Sequence, residues 1–380
     1  MVYFDNAATT FPKPNSVYKK WQQAMTAYGA NPGRSGYSLA QKTGEAVFQS
    51  RLKCAEFFGA EAENTVFTLN CTHSLNFAIK GLAQRGKHFV ISDLEHNAVV
   101  RPINAVAENY GCCFEEYCRV FETAFDAEET LRNANNVIDG NTAAVVCTAA
   151  SNVIGLRNPL CELYRLCRER NVPFVVDAAQ GAGLFPINLR CADIICAAGH
   201  KGLYAPMGTG LLITNGRYPL RTLIEGGTGS VSDSIEQPDF MPDRFESGTI
   251  NTAGTIALGE GVSFVKSMTP QRILSHELAL CRRFCNEARK LRKVRLYNVI
   301  DERNSHLFAP VVSFDFEGIP AVEGAEMLGN MGFAMRGGLH CAPFAHKKIG
   351  TLENGTIRFS PSVFNTQQEV DALIRAMNRV

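Results

Sequence analysis

The chain has 380 residues, 46% hydrophobic and 20% charged, with 38 basic against 37 acidic side chains. That length suits two domains, or one large α/β domain with a lobe, and the apolar share is enough for a large core. With a net charge of +1, nothing argues for nucleic acid, an anionic membrane surface or a disordered tail, and neither nucleic acid nor a membrane is expected as a partner.

In chain order, the opening "MVYFDNAATTFPKP" carries Asp5 and prolines and has no apolar h-region; no signal peptide is expected. No run approaches the roughly 18 apolar residues of a membrane span. From about residue 65 to 215 strand-like and helix-like segments alternate. "TVFTLN" is β-rich and is followed by a helix pattern with Leu75, Ala78, Ile79 and Leu82. "KHFVISD" reads as a strand, and "TAAVVCTAAS" as a continuous small-apolar strand of the kind buried in parallel sheets. "VPFVVDAAQ" and "ADIICAAG" follow, separated by "GAGLFPINLRC". The alternation predicts an α/β fold with a mainly parallel sheet. Residues 226–254 form a Gly/Ser/Pro-rich loop without periodicity, a length that usually signals function or an interface. A long helix is predicted from near Ile256. The last third, with "PVVSFDF" and "GTIRFSPS", reads as a smaller α+β lobe.

The 13 cysteines form no CxxC pair and no Cys/His array of zinc spacing. Most fall in apolar patterns: Leu160, Leu163, Tyr164 and Cys167 share one stripe, and Leu274, Leu278, Cys281, Phe284, Cys285 and Ala288 share another. Core packing explains the Cys281/Cys285 pair better than a metal does, and no metal is expected. Many buried free thiols predict a reducing, cytoplasmic location.

Polar residues recur at the ends of the predicted strands: Thr72, His96, Asn152, Asp177 with Gln180 one turn on, then His200 and Lys201. In a parallel sheet these ends share one edge, where ligands bind. An amine, a carboxylate, an imidazole, two amides and a helix N-terminus would meet there. Pyridoxal phosphate uses all of them: a lysine for its imine, a carboxylate against its pyridine nitrogen and an anion site for its phosphate. Lys201 itself sits in "CAAGHKGLYAPMGTGLL", among small residues that permit close backbone approach.

The motifs "YFDNAATTFPKP", "EHNAVVRP", "ASNVIG", "VDAAQ", "GHKGLYAPMGTG", "RFESGTINTAG", "RGGLHCAPFAHKKIGT" and "GTIRFSPSVFNT", in this order along essentially the whole chain, resemble the class V aminotransferase-fold enzymes, specifically the cysteine desulfurase and selenocysteine lyase branch. The resemblance implies a pyridoxal-phosphate-dependent transferase fold (aspartate aminotransferase-like, fold type I). It implies a large cofactor domain over 15–258 and a small domain from 1–14 and 259–380 carrying a catalytic cysteine loop. It also implies roles. Lys201 holds the cofactor as an imine and moves the substrate's α-proton. His96 stacks on the ring and aids acid-base steps, and Asp177 pairs with the pyridine nitrogen. Gln180 bonds the phenolic oxygen, and Asn152 neighbours that oxygen and the substrate carboxylate. His200, Thr72 and the His73 N–H belong to the phosphate end. Arg358 clamps the substrate carboxylate, a planar anion suited to a bidentate arginine. Thr249 is lent to the phosphate site of a neighbouring subunit, making a homodimer with a shared site.

Cys341 stands in "GGLHCAP", a loop with Arg336, His340, His346, Lys347 and Lys348 around it. The resemblance implies that it takes the substrate's sulfur as a persulfide and passes it to an acceptor protein. The reading is therefore a cysteine desulfurase converting L-cysteine to L-alanine. The alternatives are a lyase for L-selenocysteine or a related amino acid, and, from another class, a low-turnover sulfur-relay or assembly protein; an aminotransferase proper would leave Cys341 idle. Two positions depart from the family pattern: Ala198, where relatives place a phosphate-binding hydroxyl, and Leu339, where some carry histidine. Cys71, in the phosphate turn, reads as a packing residue.

Overall fold

The structure, a computed structural model, describes residues 1–32 and 36–380. Strand β1 (Val2–Tyr3) is followed by helices α1 (Asn15–Ala27) and α2 (Ser38–Phe58). Seven strands then build the main sheet: β2 (Thr65–Thr68), β3 (His88–Ser92), β4 (Cys118–Phe121), β5 (Thr142–Thr148), β6 (Phe174–Asp177), β7 (Ile194–Ala198) and β8 (Gly210–Thr214). Their order is β2-β8-β7-β6-β5-β3-β4. Only β8 runs against the others, so the sheet is mixed but mainly parallel, as the alternating pattern predicts. Every residue of β3, β5, β6, β7 and β8 is buried, which is why these strands read as unbroken apolar runs.

Helices α3 (Cys71–Leu82), α4 (Asn97–Tyr110), the short α5 (Phe114–Tyr117), α6 (Ala127–Val137) and α7 (Leu160–Glu169) connect the strands. The sequence marks Thr72 as the start of α3, but the cap is Asn70, whose side chain accepts from the His73 N–H at 2.9 Å. The 226–251 stretch is irregular, and α8 (Thr252–Met268) starts four residues ahead of the predicted Ile256 because Asn251 caps it through the Gly254 N–H.

Beyond α9 (Pro270–Ala288) come β9 (Val294–Leu296), β10 (Val312–Phe316), α10 (Ala321–Asn330), β11 (Phe333–Ala334), β12 (Arg336–Gly338), α11 (Pro343–Lys348), β13 (Thr356–Phe359) and α12 (Gln367–Met377). Strands β12-β13-β10-β9 form an antiparallel sheet. It packs on α9 through Phe284, stacked at 4.3 Å on Phe359. The N-terminal segment joins the two sheets. β1 pairs with β11, Asp5 bridges to Ser360, and Thr9, Thr10 and Lys13 all bond the His200 carbonyl beyond β7.

The sequence reading named no disulfide, and the structure has one. Cys161 and Cys191 form a disulfide, tying the exposed start of α7 to the turn before β7; the other cysteines are free. Cys161 lies off the apolar stripe of α7 and faces out, so nothing in its local pattern pairs it with a residue 30 positions away. Among the described residues no helix is long and apolar enough to cross a membrane, and no group of His, Cys, Asp and Glu is arranged to hold a metal ion.

Candidate active site

The C-terminal ends of β5, β6 and β7 open on a cavity of about 230 Å³. Thr72, His96, Asn152, Asp177, Gln180, His200, Lys201 and Arg358, all expected from the sequence, line it together. This is the edge at which parallel strands present their loops to a ligand.

Lys201 follows β7 in a turn that depends on contact between glycine backbones. A Cβ on Gly202 would lie 2.2 Å from the Ala182 carbonyl oxygen, and one on Gly183, at φ +87°, 2.1 Å from that of Gly202. On the other side the preceding carbonyl, of His200, accepts from the Thr9 hydroxyl at 3.0 Å, the Thr10 N–H at 3.1 Å and Lys13 Nζ at 2.7 Å. Burial pushes the Lys201 amine below its ordinary value, against the opposing pull of Asp177. A lysine held in this way reaches its neutral, nucleophilic form more readily.

Asp177 ends β6 and is 2% exposed. Its Oδ1 accepts from the Ala179 N–H at 2.9 Å and lies 3.3 Å from Cys71 Sγ. Gln180 is held by the Ala7 carbonyl at 2.9 Å, and Asn152 by the His340 carbonyl at 2.7 Å. His96 caps α4 by accepting the Ala98 N–H at its Nδ1 at 3.0 Å. Burial, and then the charge of Lys201, pull its pKa down to about 4. The ring is neutral near pH 7, and with Nδ1 accepting, its proton sits on Nε2.

At the helix end of the cavity Asn70, Cys71 and Thr72 meet His200, whose pKa burial lowers to about 4. The His73 N–H, expected to join the phosphate end, is already spent on the Asn70 cap, and the His73 ring packs on Phe77 at 4.5 Å instead. Thr249 is exposed and lines a different hollow, beside Arg51 and Glu246, so this chain does not bring it to its own Lys201.

At the far end Arg358, 1% exposed, spans two elements: Nη1 donates to the Asn152 carbonyl at 3.0 Å and Nη2 to Asp5 at 2.7 Å. Cys341 lies at the rim, exposed, in a turn where His340 and Cys341 both have positive φ (48° and 57°). The Cys341 carbonyl accepts from the Asn97 N–H at 2.7 Å, anchoring the turn to the start of α4, and Arg336 Nη2 lies 3.8 Å from its sulfur. Arg336 also lines the cavity, which connects the exposed thiol to the interior residues. The sequence reading missed Asp5 and Lys13 as site-building residues. It counted Arg336 only as one of several cations near Cys341.

A family model, aminotransferase class-V, matches residues 2–373. The chain belongs to the class V aminotransferase family. Curated relatives include a probable cysteine desulfurase of Methanothermobacter thermautotrophicus, 29% identical over all of this chain and 94% of that protein. Another, from Pyrococcus abyssi, is 30% identical over the same shares. Among solved structures, an apo cysteine desulfurase of Thermococcus onnurineus superposes with a TM-score of 0.90 at 30% identity, covering 100% of this chain and 94% of that one. A cysteine desulfurase of Escherichia coli, recorded with an S-sulfonic acid, gives 0.85 at 25% identity over 99% and 94%.

Class V aminotransferases are enzymes that use pyridoxal 5′-phosphate, and the residues present here fit that group. The cavity holds an amine and a carboxylate for the two ends of a pyridine aldehyde. Its helix end contains a buried polar atom, His200 Nδ1, that has no protein partner. Arg358 Nε is a second such atom, at the far end. Buried polar atoms that line a cavity and lack a protein partner can be satisfied by a ligand there.

Proposed function

We propose that this protein is a cysteine desulfurase, releasing L-alanine from L-cysteine while the sulfur passes to Cys341 and on to an acceptor protein. The observation that carries this reading is the placement of an exposed thiol, anchored through Asn97 and Arg336, at the rim of the cavity that contains Lys201 and Asp177. An aminotransferase has no use for that thiol.

Lys201, Asp177, Gln180, His200 and Thr72 would hold the cofactor, and Arg358 with Asn152 the substrate carboxylate. When bound, the cofactor supplies a sink for the electrons released at the substrate's α-carbon. Lys201, with its lowered pKa, takes the α-proton and later returns one to carbon. Neutral His96 presents its Nε2 proton to the same space. Cys341 Sγ attacks the substrate sulfur: the S–S bond forms as the Cβ–S bond breaks, and the electron pair of the broken bond returns to carbon, which is protonated to alanine. Cysteine and the Cys341 thiol thus give alanine and a Cys341 persulfide, with no outside oxidant. The exposure of Cys341 leaves that persulfide open to an acceptor.

We also propose a homodimer in which Thr249 of each chain completes its partner's phosphate end. Support comes from its exposure away from its own cavity, and from apolar side chains left open on α1, α2 and the 224–250 loop: Trp21, Met25, Phe48 and Ile235.

The test is alanine and sulfane release from L-cysteine by the cofactor-loaded protein, repeated with L-selenocysteine. Lys201→Ala should release no alanine from either amino acid. Cys341→Ala should lose sulfane transfer from cysteine. Undiminished sulfane transfer in Cys341→Ala would refute the role given to that thiol.

A further inference from the structure

Among the described residues Cys71 is the one cysteine lining the cavity, and the reaction proposed above gives it no part. It is the first residue of α3 and is 7% exposed. Its sulfur lies 3.3 Å from Asp177 Oδ1 and 3.3 Å from the Cys196 carbonyl oxygen. A thiol has one hydrogen, and a carboxylate is the stronger of these two acceptors.

We propose that Cys71 is a positioning residue for Asp177: its S–H holds Oδ1, together with the Ala179 N–H, and thereby turns the other carboxylate oxygen toward the cofactor's pyridine nitrogen. This rests on the reading of the cavity as a pyridoxal phosphate site. Three features carry it. Both bonds to Asp177 fall on the same oxygen, so they fix the rotation of the carboxylate rather than merely solvating it. Burial, and then the charge of Asp177 alongside, raise the Cys71 pKa well above its ordinary value, so the group remains a donor and is no competitor to Cys341 as a nucleophile. Finally, Cys71 opens the helix that lines the phosphate end while Asp177 ends the strand at the ring end, so this contact sets the spacing between the two ends of the site.

Serine preserves a donor of similar size, and valine fills the space without one. The experiment compares wild type, Cys71→Ser and Cys71→Val for the cofactor's dissociation constant and for the visible circular dichroism of the bound cofactor, which reports a ring fixed in one orientation. Melting of each apoprotein checks folding, and Cys71→Ala takes the place of valine should that variant not fold. The expected result is a dissociation constant about fivefold higher, with a diminished dichroic band, in valine or alanine, and values within about twofold of wild type in serine. Equal behaviour of the serine and apolar variants, whether both intact or both impaired, overturns the proposal and leaves Cys71 a packing residue. Failure of the wild-type protein itself to bind pyridoxal phosphate overturns the underlying reading instead.

Discussion

Arg358 and Asp5, 353 residues apart in the chain, meet at 2.7 Å through Nη2 and Oδ1, with the arginine sealed from solvent and the aspartate partly buried. Asp5 thus neutralises the buried guanidinium while leaving Nε without a partner. A substrate carboxylate would add a second anion to an arginine already oriented by the first.

Replacing Asp5 by Asn should therefore leave a buried cation uncompensated. Stability of the ligand-free protein is expected to fall by about 3 kcal/mol. A carboxylate ligand should restore part of it, so the melting-temperature gain on adding L-alanine should be larger in Asp5→Asn than in wild type. Equal gains would mean that Asp5 and the ligand do not share Arg358.

Gly202→Ala should displace the lysine turn, because the added methyl would lie 2.2 Å from the Ala182 carbonyl oxygen, a backbone atom that cannot swing aside as a side chain could. A cost of about 3 kcal/mol or more is expected, with loss of cofactor absorbance. The apoprotein melt and the absorbance spectrum check the two effects together.

Ala198 closes β7, is 2% exposed and lines the cavity. A serine there adds a hydroxyl without disturbing the strand. Ala198→Ser should lower the cofactor's dissociation constant about 2- to 10-fold, the effect of one added hydrogen bond. A cofactor titration followed by absorbance settles it.

Glu277 on α9 is buried against Tyr204, whose hydroxyl donates to it at 3.2 Å, and burial raises its pKa to about 8. The unfolded chain loses this proton near pH 4.5 and the folded one only near pH 8. In that window the folded state binds more protons, so stability falls as pH rises, by at most about 1.4 kcal/mol per pH unit. Glu277→Gln keeps the acceptor and removes the titration. Its melting temperature relative to wild type should climb from pH 5 to pH 8; a constant difference would contradict this.

Much of the fold and site was legible in the sequence. A short run of small apolar and β-branched residues such as "TAAVVCT" fits a strand covered on both faces, and polar residues that follow such runs in a parallel sheet gather at one edge. That placed Asp177, His200, Lys201 and Asn152 in a common cavity. Helix starts were less legible, since Asn70 and Asn251 act as caps through side-chain geometry that neighbouring Thr and Ile positions hide. The disulfide between Cys161 and Cys191 was not legible at all, because a cysteine off the apolar stripe carries no mark of its partner.

What the sequence by itself determined was the type of sheet, the chemistry at its edge and the family. These follow from local periodicity and from residue types at strand ends. The tertiary structure alone decided which groups touch: Asp5 against Arg358, Cys71 against Asp177, Lys13 on the His200 carbonyl and Arg336 beside Cys341. Apart from the last, these pairs join residues that are distant in the chain. Hydrogen bonding and charge pairing depend on distance and orientation in space, which separation along the chain does not encode.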